Sequence, residues 1–159
     1  MASTAAHAHR FAREKFWVVE HDPAGASTDP QVVDLGQPQS GADCIALSDN
    51  GGLRSFAVAC MKTVGTGNTD EFSIIAATAA DGTGATVVQQ IATAIAQTQN
   101  AIGDVLVIEV TAEQIREVLP TATHVGVQHE AATGTDEWVF ACIAEYTHQY
   151  AALTANYIA

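Results

Sequence analysis

The chain's 159 residues suit one domain of ordinary size. It is 48% hydrophobic and only 15% charged, with a net charge of −12, and the charge is unevenly placed: the first fifteen residues hold Arg10, Arg13 and Lys15 against Glu14, while the remainder sets three bases against seventeen acids. A body of that sign repels phosphate backbones and anionic lipid surfaces, which are bound by clustered Lys and Arg, so neither nucleic acid nor membrane is expected as a partner.

The opening residues read as an arm. Ala5-Ala6-His7-Ala8-His9-Arg10 breaks any signal-peptide apolar run, and no later stretch approaches the eighteen apolar residues of a membrane-spanning helix. His7 and His9 could share an ion but have no third fixed ligand, so no metal site is expected there. Phe16-Trp17-Val18-Val19 is an apolar patch, followed by a loop punctuated by Pro23, Gly25 and Pro30. The expected organisation is an N-terminal arm over 1–30, a β-sandwich domain over 31–150 and a C-terminal tail over 151–159.

From Gln31 strand patterns recur over Gln31–Leu35, Asp43–Ser48, Leu53–Val64, Glu71–Ala80, Asp104–Val110, His124–Glu130 and Glu137–His148. Turn clusters separate them, and Asn50-Gly51 is a strong hairpin cue. Seven such runs predict a mainly β fold, a β-sandwich or jelly-roll-like single domain. Val105-Leu106-Val107-Ile108 is apolar on both faces, which places it at the centre of a sheet or beneath a cover supplied by a neighbouring subunit or the arm. In His124–His129 the valines share one face, leaving His124, Gly126 and Gln128 on a wet one.

Two segments carry helical signals. Thr86–Gln97 spaces Val87, Val88, Ile91 and Ile95 as on a helix, with Thr86 and Gln89 placed as a capping box, although its β-branched residues also suit a strand; the spacing predicts a helix. Thr111–Leu119 is a short helix stopped by Pro120.

Nothing clusters for chemistry, so no catalytic residue, metal or cofactor is expected and an enzyme is unmotivated. His124 and His129 are five apart, face opposite sides of a strand and are expected at the surface or an interface. Asp70, Glu71, Asp81, Glu130, Asp136 and Glu137 lie in or beside turns without the alternating spacing of a calcium loop. Gly65-x-Gly67 and Gly82-x-Gly84 do not continue into a phosphate loop, and G-x-S-x-G is absent. Cys44, Cys60 and Cys142 lie in apolar runs without C-x-x-C spacing, as buried reduced thiols of a chain that folds in a reducing cytoplasm.

The order of elements from Val32 resembles a family of small virion structural proteins of tailed bacteriophages. The residues that carry the resemblance are Val32–Leu35, Asp43–Ser48, Ser55–Lys62, Gly65–Gly67, Ala76–Ala85 and Val107–Ile115. It implies a β-sandwich or jelly-roll subunit of the virion, made in the host cytoplasm, that decorates or cements the capsid by contacts with the major capsid protein and with copies of itself as a homo-oligomer. It also moves residues 87–97 toward strand. A tail or neck component, or a carbohydrate-binding adhesion domain, are the alternatives. Arg10, Phe11, Arg13, Phe16 and Trp17 of the arm are the expected partner-binding residues.

Overall fold

The computed structural model describes residues 14–21, 31–35, 44–64, 71–91, 102–130 and 137–147. Among the described residues there are nine strands, β1(Glu14–His21), β2(Gln31–Val32), β3(Ile45–Ala46), β4(Leu53–Val64), β5(Glu71–Ala77), β6(Thr86–Ile91), β7(Val105–Thr111), β8(His124–Glu130) and β9(Glu137–Tyr146), and one α-helix, α1(Ala112–Val118). The first sheet has the order β1-β9-β4-β7 and the second β2-β8-β5-β6, with β3 following β2 along the same edge of β8; every pairing is antiparallel. With the two-residue β3 set aside, the eight strands are distributed as one, eight, three, six and two, seven, four, five. That is the strand order of a jelly roll, a mainly β architecture.

The core lies between the sheets. Phe56, Val58 and Cys60 of β4 and Phe140, Cys142 and Ala144 of β9 meet Phe72, Ile74 and Ala76 of β5 and Val125 and Val127 of β8. Helix α1 touches β4, β5, β6 and β7, with Ile115 fully buried. Its start is set by a capping box: the Gln114 N–H donates to Thr111 Oγ1 at 3.3 Å, and the Thr111 N–H donates to Gln114 Oε1 at 2.8 Å.

Several expectations change. Glu14–His21, assigned by sequence to the arm, is a full strand paired with β9 from Glu14↔Glu145 to His21↔Trp138. Thr86–Ile91 is a strand, as the resemblance implied and against its helical spacing, because β5 offers it a ladder and a bulge between Ile74 and Ile75 leaves Val88 unmatched and half-buried against the core; residues 92–97 lie outside the described residues. Asn50-Gly51 makes no hairpin: it belongs to a 3-10 turn over Asp49–Gly51 that passes the chain from β3, which pairs with β8, to β4 in the other sheet. Gly51 and Gly52 there have φ of 80° and 110°, open to glycine without strain. Finally, Val105–Ile108 is not central, since β7 is an edge strand paired only with β4 among the described strands.

Candidate functional site

The two faces of the first sheet differ. Along β4, β7 and β9 alternate side chains are buried, and the outward set is still largely apolar. Register places these outward residues in rows across the sheet. One row runs Phe16, Ile143, Ala57, Glu109; the next runs Val18, Ala141, Ala59, Val107; a third carries Val139, Met61 and Val105. Phe16 is 63% exposed, Val18 56%, Val105 58% and Val107 65%, so the face is open.

Relief and charge follow from the same rows. Ala57, Ala59 and Ala141 are small outward residues that make a trough at the level of the side chains, with Val18 of β1 and Val107 of β7 on either side and Ile143 next to Ala141 on β9. Four strands at about 4.8 Å spacing and six residues at about 3.4 Å rise give a surface of roughly 400 Å². Apart from Glu109 at its edge the described side chains of these rows are apolar, and the largest apolar patch of a soluble protein is often functional. Covering the roughly 60% of each Val or Phe that is exposed is worth about 1–2 kcal/mol. Acids flank the face, with Glu109 at its β7 edge, Glu137 and Glu145 at its two ends along β9, and Arg54 joined to Glu145 at 3.3 Å.

The structure places the expected contact residues unevenly. Phe16 is on the open face, and Trp17 lies in β1 in register with Cys142. Arg10, Phe11 and Arg13 lie outside the described residues. Sequence reasoning missed that the face extends over β4, β7 and β9, although the doubly apolar run at Val105–Ile108 was its signal.

A second cluster sits at one end of the core. Lys62 is 1% exposed, and its Nζ lies 5.1 Å from the centre of the Trp138 ring. Trp138 meets Phe72 edge-on at 4.3 Å, and Phe72 stacks flat on His129 at 4.5 Å. His129 is thus buried, against its expected surface position, because it shares the inward parity of Val125 and Val127. The parity was readable in the sequence. Sealed from solvent, this cluster packs the end of the sandwich and offers no surface for substrate. His124 has the outward parity, with Nδ1 2.8 Å from Thr123 Oγ1, and partial burial pushes its pKa below the ordinary value against the opposing pull of Asp49 and Asp81.

The remaining polar groups brace turns. The Thr83 N–H donates to Asp81 Oδ1 at 2.9 Å, which holds that carboxyl below its ordinary range. Among the described residues no three His, Cys, Asp or Glu stand together as a metal site. Cys44, Cys60 and Cys142 are buried thiols outside any disulfide, and burial pushes Cys60 and Cys142 up to about 12.

Fold and surface together define a jelly-roll sandwich with one open apolar sheet. No family model and no curated protein matches the chain. Among solved structures it is similar to a chain from the work described as "Bacillus endospore appendages form a novel family of disulfide-linked pili", at 15% identity and a TM-score of 0.45 over 86% of this chain and 88% of that one. At that level the likeness carries no argument about what this chain does.

Proposed function

We propose that this chain is a structural subunit acting by protein–protein contact in a multi-copy assembly, namely a bacteriophage virion protein that decorates or cements the capsid. The single observation behind this reading is the open outer face of the first sheet, where Phe16 and Val107 are about two-thirds exposed on a rigid, paired scaffold. A patch of roughly 400 Å² lies below the area of a stable one-to-one interface. Repeated over a closed symmetric lattice, such a contact gains strength by avidity. The phage assignment rests on the resemblance in element order; the contact role rests on the face. Phe16 is the one exposed aromatic among the residues whose side chains are described, which favours a protein partner over the stacking platform a sugar needs.

The test is the copy number of this chain in purified particles, beside that of a V107K/I143K variant. Both positions are exposed, so the variant should fold with an unchanged melting temperature and be lost from particles. Copy number matching the capsid lattice supports decoration; a handful of copies supports a neck or tail position instead. A folded variant that is incorporated like the parent refutes the face as the contact.

A further inference from the structure

The outer face demands an occupant that is apolar in the middle and basic around it. Its exposed acids Glu109, Glu137 and Glu145 are met by Arg54, which is already engaged with Glu145 at 3.3 Å. A bare face-to-face stack of two copies would bring these acids together, at a cost that grows as water is excluded. The sequence contains one segment of the complementary kind: His9-Arg10-Phe11-Ala12-Arg13 places an aromatic between two arginines. Of the other bases, Lys15 lies within β1 opposite Ala144, Lys62 is buried in the core and Arg116 sits on α1.

We propose that the outer face of the first sheet receives residues 1–13 of a second copy of this chain, with Phe11 in the trough over Ala57, Ala59 and Ala141 and with Arg10 and Arg13 beside the acids at its ends. This inference rests on the assembly reading above and names the occupant. Geometry favours a second copy over the chain's own segment. Residues 1–13 lead into β1 at Glu14, opposite Glu145 at one end of the sheet. To lie on its own face the chain would have to reverse just before Glu14, where Ala12 and Arg13 are not among the residues that favour tight turns. Running onward, thirteen residues reach up to about 43 Å, well over the roughly 19 Å width of a four-stranded sheet.

The test uses the full chain. Sedimentation equilibrium should show self-association that weakens by about tenfold or more in R10E/R13E and likewise in E109R/E137R, while an equimolar mixture of the two variants re-associates, because the reversed segment of one matches the reversed face of the other. A photo-crosslinking phenylalanine analogue at position 11, mixed with isotope-labelled parent, should join labelled peptides containing Ala57, Ala59 or Ala141. Unchanged association of R10E/R13E, a parent chain that stays monomeric, or crosslinks confined to the same chain or to another surface would overturn the inference. Particle incorporation of V107K/I143K is scored separately. Incorporation that depends on the face, together with crosslinks elsewhere, sinks the occupant alone; exchange of the segment in solution without incorporation sinks the virion role alone.

Discussion

Gly126 shows how closely single atoms are specified. It lies in β8, and a Cβ built there would run into Cys44 Sγ, with Ile75 the next neighbour at 3.6 Å. The strand face read from alternation as wet is therefore covered at this point. G126A should cost about 1–3 kcal/mol in a denaturant titration, and in a C44A background the penalty should fall below about 1 kcal/mol, because the obstructing sulfur is gone. Gly82 is constrained twice, by φ of 81° and by the Val32 side chain 2.6 Å from a built Cβ. The core thiols give a pH signature. Cys60 and Cys142 are raised from 9.0 to about 12 chiefly by burial, so the unfolded chain releases these protons first. Their contribution to stability is fully present below pH 9 and is lost as pH rises toward 12, by up to about 1.4 kcal/mol per pH unit for each thiol. Urea midpoints measured across this range should fall more steeply for the parent than for C60A/C142A.

Among the elements, β1 differs most from the sequence reading, while β6 departs from its helical spacing and agrees with the strand that the resemblance implied. Thr86–Gln89 and Thr111–Gln114 carry the same capping-box letters, yet only the second starts a helix. At Thr111 the segment has left β7 and docks Ile115 into the core; at Thr86 the neighbouring β5 supplies hydrogen bonds that a β-branched segment accepts readily. T111A should destabilise the protein by about 1 kcal/mol through the lost cap, and the Q114A loss should be smaller. Melting curves of the two variants check the order. Because β1 forms the outer edge beside β9, removal of residues 1–21 should lower the melting temperature by exposing the β9 edge.

At the scale of the molecule, the two sheets share one core, with β4, β5, β8 and β9 contributing inward side chains to the same cluster. Unfolding should be a single transition: tryptophan fluorescence, reporting in part on buried Trp138, and far-UV circular dichroism should give coincident midpoints, and separated midpoints would mean that the sheets come apart independently. Alternation along the chain determined the mainly β class, the inward valines of β8, the short helix at Thr111 and the burial of the cysteines, because burial imposes a period of two on a strand and a longer one on a helix. Which strands are neighbours was decided by tertiary structure. The placement of Val105 and Val107 on an edge strand, the passage of Asn50-Gly51 between sheets, the strand at Thr86 and the covering of Gly126 by Cys44 all depend on partners far away in sequence. Local pattern specifies how much surface a segment must bury, whereas the segment that buries it, or leaves it open to another molecule, is set by long-range pairing.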